Sequence, residues 1–229
     1  MKRGIRTINS ASARRFARDE SGTTLVELAL VIALFLLLFF AVLDFGRMGS
    51  DYVMAEKALQ RAVRVAATRP AACPGVPETH QPGAFLPGTT PPRYGTLCRA
   101  APGVVCATPA EITCQGDLSN ATVAEIWWGA DRAPGGVPGI REVLPSNAEP
   151  RHLVFRYTTD PDLGFLGGPF VPIVTVELRD LDFRYTTPLG RLAGIAGVAN
   201  AGTRGDNDIP FPTISVSLPG EDLAQGGDG

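Results

Sequence analysis

The chain has 229 residues, room for one domain plus an anchor, and its 45% apolar content is ordinary for a folded protein. A formal net charge of -2 hides an asymmetry, because residues 1–20 carry Lys2, Arg3, Arg6, Arg14, Arg15 and Arg18 against only Asp19 and Glu20. Taking these away from the 21 basic and 23 acidic residues leaves 15 and 21, a mildly acidic remainder with no basic cluster, so a nucleic-acid-binding body is excluded.

Residues 28–43 contain no polar side chain, and residues 23–27 extend the run to about 21 residues. As a helix this spans ~31 Å, enough to cross a hydrocarbon core. Thirteen of the sixteen residues 28–43 are Leu, Val, Ile or Phe. At roughly -0.3 to -0.6 kcal/mol each, they favour insertion by about 4 to 8 kcal/mol. Glu27 opposes this by at most ~3 kcal/mol, and by less near the end of a span. The segment is predicted to insert. The basic arm beside it then stays cytoplasmic and the rest crosses the membrane. A cleavable secretory signal would have a shorter apolar core and a small-x-small site, which Asp44-Phe45-Gly46-Arg47 does not provide. A plain signal anchor would leave Gly22 and Glu27 without a purpose.

The stretch Ser21-Gly22-Thr23-Thr24-Leu25-Val26-Glu27, set directly before this run, resembles the prepilin cleavage motif of the type IV pilin superfamily. The resemblance implies that a dedicated membrane peptidase cuts between Gly22 and Thr23. Thr23 then becomes the methylated N-terminus, and Glu27 acts as the assembly carboxylate. A free amine and a carboxylate facing low dielectric are tolerable only when paired. Pairing the amine of one subunit with the glutamate of its neighbour would set an axial register. The plainer alternative for Glu27 is an interfacial carboxylate among lipid headgroups.

Beyond the membrane the helical pattern continues. Tyr52, Ala55, Leu59, Ala62, Val63 and Ala66 recur at three- and four-residue steps, with Glu56, Lys57, Gln60, Arg61 and Arg64 on the other face. Arg69-Pro70 is predicted to end the stem, because the residue before a proline avoids helical geometry. Gly46 and Gly49 each weaken the helix by ~1 kcal/mol against alanine, which predicts a hinge or kink at the membrane exit.

Leu43-Asp44-Phe45-Gly46-Arg47, followed by Ala55-x-x-Ala58-x-x-x-Ala62-x-x-x-Ala66, resembles the TadE-like pseudopilins of the tight-adherence (Flp) pilus system over residues 19–69, with a weaker echo in the last third. The resemblance implies a membrane-anchored minor component of the apparatus that builds the pilus, with no enzymatic turnover and no cofactor. It implies a bacterial inner-membrane location, N-terminus cytoplasmic and C-terminal domain periplasmic. The implied partners are a prepilin peptidase, TadF- and TadG-like proteins, an Flp-type pilin, an inner-membrane assembly platform and membrane lipid. The chain departs from the commonest pattern in lacking a proline inside the membrane helix. Its Cys-bearing insert is long, and the role of that insert is not inherited from the family.

All four cysteines, Cys73, Cys98, Cys106 and Cys114, fall in one Pro/Gly-rich segment on the exported side. In an oxidising compartment they read as two disulfides with three possible connectivities. Nearest-neighbour pairing gives Cys73 with Cys98 and Cys106 with Cys114. A zinc site is disfavoured, since no pair has C-x-x-C spacing and His80 is the only histidine nearby. Residues 70–116 read as irregular loop. Residues 123–128, 153–158 and 171–186 are strand candidates, rich in β-branched and aromatic side chains. In the last, Val174, Val176 and Leu178 share one parity and Leu181, Phe183 and Tyr185 the other, which predicts a bulge or turn at Arg179 and Asp180. Ile214, Val216 and Leu218 alternate with serines. Phe155-Arg156-Tyr157-Thr158-Thr159 recurs as Phe183-Arg184-Tyr185-Thr186-Thr187, which two equivalent strands in one sheet would explain. One repeat is too few for a repeat architecture.

Catalytic signals are weak. Ser146, His152 and Asp160 lack a nucleophile setting, and Gly135-Gly136-x-x-Gly139 lacks the flanks of a phosphate loop. Asp206-Asn207-Asp208 offers oxygen ligands to calcium without a full calcium-loop spacing, so a solvated turn is the better reading. Trp127-Trp128 is either core plus one exposed ring or a binding patch. The expected protein is α+β. It has a basic leader (1–22), a transmembrane helix (23–45), a stem helix (46–69), a Pro/Gly/Cys-rich region (70–122), a β-rich domain packed on the stem (123–219) and a tail (220–229). The alternatives are a minor pseudopilin of a type II secretion system and an anchored periplasmic enzyme or ligand-binding protein.

Overall fold

The computed structural model describes residues 22–85, 88, 90–130, 138–189, 191, 208–221 and 223. The basic leader through residue 21, Gly135, Gly136, Asp206 and Asn207 lie outside the described residues. The chain divides into two compact units, Met1–Gly46 and Arg47–Gly229.

The first unit contains Gly22 and the start of helix α1 (Thr23–Thr68). Its most apolar 18-residue window has a mean hydropathy of 3.0, and none of that window is buried within the protein. An all-apolar helix satisfies its own backbone groups and suits hydrocarbon rather than water. The helix runs through Gly46 and Gly49 without interruption, so the expected hinge is not a break in the helix. Two glycines at ~1 kcal/mol each do not outweigh the propagation of so long a helix. The boundary between the two units nonetheless falls at Gly46.

In the second unit, the stem turns Ala55, Ala58, Leu59, Ala62, Val63, Ala66 and Ala67 into the core. All of these but Ala67 share one buried cluster with a four-stranded antiparallel sheet of order β1-β2-β3-β6. Its strands are β1 (Ile112–Gln115), β2 (Leu153–Thr159), β3 (Pro172–Leu178) and β6 (Ile214–Pro219). Register decides which face is buried. The rows Cys114–Phe155–Val176–Val216 and Ile112–Tyr157–Val174–Leu218 line the core side. Thr113–Arg156–Thr175–Ser217 lies on the other side, where Glu177 bridges Arg156 (3.0 Å) and Arg179.

The expected long strand over 171–186 is two strands. β3 ends at Leu178, Asp180 adopts φ 55°, and β4 (Asp182–Arg184) pairs with β5 (Asp208–Pro210) in a separate two-stranded sheet. The parity change at Arg179 and Asp180 is therefore a turn between sheets. For the same reason the Phe-Arg-Tyr-Thr-Thr repeat does not mark equivalent strands in one sheet: Phe155 lies in β2 and Phe183 in β4. Both phenylalanines are fully buried.

Two further expectations are corrected. Residues 123–128 are not a strand but the end of helix α2 (Ala121–Trp128). Asn120 caps it by accepting the Val123 N–H at 3.2 Å, and Val123, Ile126 and Trp127 are buried at i, i+3 and i+4. The local β-propensity loses to a cap and a helical spacing. Trp127 is 2% exposed and Trp128 44%, so the pair is core plus one exposed ring. Within the expected loop region, β1 forms and pairs with β2.

The disulfides are Cys73–Cys114 and Cys98–Cys106, not the nearest-neighbour pairs. Cys114 sits on the core face of β1, beside the chain leaving α1, so Cys73 meets it across 41 residues. Consecutive turns, Ala100 N–H to Leu97 C=O and Val105 N–H to Ala101 C=O, fold 98–106 back on itself. On a chain-entropy basis the long loop contributes about 4 kcal/mol and the short one about 2.5. Replacing Cys73 and Cys114 by serine is therefore expected to lower the urea midpoint more than replacing Cys98 and Cys106. The reverse order would show that strain or native contacts, not loop length, govern the stabilisation.

Candidate functional site

Gly22 stands immediately before α1, and among the described residues a Cβ built on it meets nothing within 4 Å. Thr23 opens the helix, and Glu27 lies one turn in, exposed, at the i+4 position. Residues four apart lie on one helix face, about 6 Å along the axis. The structure thus brings the three predicted residues to one end of one helix, beside the exposed apolar side chains Leu25, Val26 and Leu28.

At the start of the stem, the Arg47 guanidinium lies 4.9 Å from the Phe183 ring centroid. It donates to Arg184 C=O at 3.3 Å and to Thr186 Oγ1, and pairs with Asp51 at 3.7 Å. A cation over an aromatic face, with its N–H groups also occupied, ties the first turn of the stem to β4. In the sequence Arg47 stands in a poor secretory cleavage site and in the motif that resembles TadE-like proteins; its aromatic partner 136 positions away carries no local signal.

At the far end, helix termination leaves backbone groups to satisfy. Residues 70–73 are held from three directions. Thr122 Oγ1 donates to Pro70 C=O (2.6 Å), Asn120 Nδ2 donates to Ala71 C=O (3.0 Å), and Ala72 N–H donates to Tyr157 Oη (2.8 Å). Glu221 N–H reaches the helical carbonyl of Ala67 at 2.7 Å, and Arg69 pairs with Glu125 at 3.3 Å. The disulfide at Cys73 closes this strap.

The remaining candidates are committed to local structure. His152 Nδ1 accepts the Glu149 N–H at 3.0 Å, and Asp160 accepts the Asp162 N–H at 2.9 Å. Burial first, and then Arg151, lowers the His152 pKa. Asp208 binds Arg184 at 3.2 Å, so the described member of the candidate calcium turn already has a cation. Tyr157 is 2% exposed, and burial pushes its phenol up to about 12, against the Ala72 hydrogen bond, which lowers it.

These features define a class: a disulfide-stapled α+β domain built on a stem that continues from a single apolar helix of membrane-spanning length. Residues 22–64, the apolar run and most of the stem, match the family model described as TadE-like protein. The match does not reach the cysteines or the sheet. No curated protein matches the chain, and no solved structure does.

Tyr157 supplies a test of the strap. An unfolded tyrosine titrates near 10, below the folded value of about 12. The raised pKa therefore gives stability that is complete below pH 10 and is lost as pH rises toward 12, amounting to about 3 kcal/mol at most. Tyr157→Phe is expected to abolish that alkaline loss while costing about 1–3 kcal/mol at neutral pH, because Ala72 N–H loses its acceptor. Urea midpoints at pH 8 and pH 11 measure both effects. An unchanged pH slope in the variant would exclude Tyr157 as the titrating group.

Proposed function

We propose that this chain is a TadE-like minor pseudopilin that supports assembly of a tight-adherence pilus from the inner membrane. One observation carries the reading. A glycine directly precedes a membrane-length helix with a lone carboxylate five residues on, and the segment falls within the TadE-like match. In this reading a prepilin peptidase cuts between Gly22 and Thr23, and the basic leader remains in the cytoplasm. Cleavage creates an ammonium at Thr23 on the same helix face as Glu27. In hydrocarbon neither charge is tolerable alone. The Thr23 amine of one subunit and the Glu27 carboxylate of the next, or of a pilin, neutralise each other and fix the axial offset between helices.

The stem and its domain then act as a shaped head presented on the periplasmic side. Binding and positioning constitute the whole activity. Partners are the peptidase, other pseudopilins including TadF- and TadG-like proteins, the Flp-type pilin, the assembly platform and lipid.

Mass spectrometry of membrane-extracted protein, with and without the peptidase, tests the processing. The expected product begins at Thr23 and appears only with the peptidase; an intact terminus in both samples would sink the proposal. Glu27→Ala is expected to leave membrane insertion unchanged and to impair pilus formation, scored by surface filaments. Normal piliation in this variant would reduce Glu27 to an interfacial carboxylate.

A further inference from the structure

The small second core, formed by Cys98, Val105, Cys106 and Leu166, adjoins a group that pilus assembly does not use. His80 is 3% exposed, its ring 5.1 Å from that of Phe170. Gly164, at φ +80°, presses on it so closely that a Cβ would lie 2.2 Å from His80 Nε2. Nε2 accepts a long hydrogen bond from Val171 N–H at 3.3 Å, while Nδ1 is buried without a partner among the described residues. Such an orphan costs on the order of 1–3 kcal/mol. A phenylalanine would fill the same space but would leave Val171 N–H without its acceptor, so a polar ring is required here.

One ring nitrogen of His80 and the Sγ atoms of Cys98 and Cys106 lie within 4.8 Å of one another, all three residues buried. We propose that reduction of the Cys98–Cys106 disulfide turns this corner into a three-ligand site for a thiophilic metal ion, of the Zn2+ or Cu+ class, held by His80, Cys98 and Cys106. One imidazole and two thiolates suit those ions. Nε2, which accepts the Val171 N–H and so carries no proton, is the nitrogen whose lone pair the metal takes, in place of that hydrogen bond.

The protein scaffold does not depend on the sulfur–sulfur bond alone to keep the ligands near. Cys98 N–H donates to Gly164 C=O at 3.2 Å, Ala107 N–H to Gln81 C=O at 2.8 Å, and His80 N–H to Gly168 C=O at 2.9 Å. The chemistry balances with a dithiol reductant. It attacks one sulfur, passes through a mixed disulfide and leaves as its own cyclic disulfide, delivering two electrons and two protons to the cysteines. Binding of a divalent ion then releases both thiol protons to solvent. Loading therefore occurs only where such a reductant is present.

The test uses the full chain in detergent, treated with a chelator, reduced with a phosphine and titrated anaerobically with Co2+. Binding of one ion per chain is expected, with sulfur-to-cobalt charge-transfer and tetrahedral d–d bands that Zn2+ abolishes; the oxidised protein shows neither band. The C98S/C106S variant retains Cys73 and Cys114 and is expected to lose the bands. H80Q is expected to weaken binding by about tenfold or more. X-ray absorption of the zinc-loaded natural protein requires no variant and should show two sulfur neighbours and one imidazole. Absence of binding by the reduced protein, bands that survive in C98S/C106S, or a zinc shell without imidazole would overturn the proposal.

Discussion

Four buried alanines, Ala55, Ala58, Ala62 and Ala66, set how closely the stem approaches the layer packed on it. Alanine propagates a helix at no side-chain entropy cost and leaves a nearly flat surface. The bulk that fills the core therefore comes from the other side, from Phe155, Tyr157, Phe183 and Trp127, with Leu59 and Val63 as the stem's larger contributions. A longer side chain at any of these alanines would overpack the interface, at a typical cost of ~1–3 kcal/mol. The helix is thus a structural member of the domain as well as the continuation of an anchor. An amphipathic face of this kind has little reason to stay helical in water without the sheet that covers it.

Both ends of the stem are fastened, and by different physics. At Arg47 a cation lies over an aromatic ring with carbonyl and hydroxyl acceptors around it. After Thr68, main-chain groups of residues 70–72 find side-chain partners on α2 and β2, and Cys73 adds a covalent tie to β1. A head fastened at both ends of its stem moves with that stem.

Much of this was legible in the residues. The apolar run, its length and the lone Glu27 need only hydropathy and helical rise. The buried stem face follows from alanines at three- and four-residue steps, β2 from its β-branched and aromatic side chains, and β6 from alternation with serines. What misled was composition taken without context. Val123, Ile126, Trp127 and Trp128 have strand-forming side chains, yet their three- and four-residue spacing and the Asn120 cap make a helix. β1 was hidden because Ile112, Thr113, Cys114 and Gln115 are too few to show periodicity; they become a strand only because β2 offers an edge.

By itself the sequence determined the local and one-dimensional properties: a span of membrane length, a helix ending before Pro70, a parity break at Arg179 and Asp180, and the Gly22–Glu27 spacing. Each depends on neighbours within a few turns, where propensity and hydropathy act directly. Tertiary structure decided the cysteine partners, the splitting of residues 171–186 between two sheets, the stacking of Arg47 on Phe183, and the meeting of His80 with Cys98 and Cys106. Those outcomes depend on which distant surfaces bury each other, and burial is a property of the assembled layers that no short stretch of chain carries.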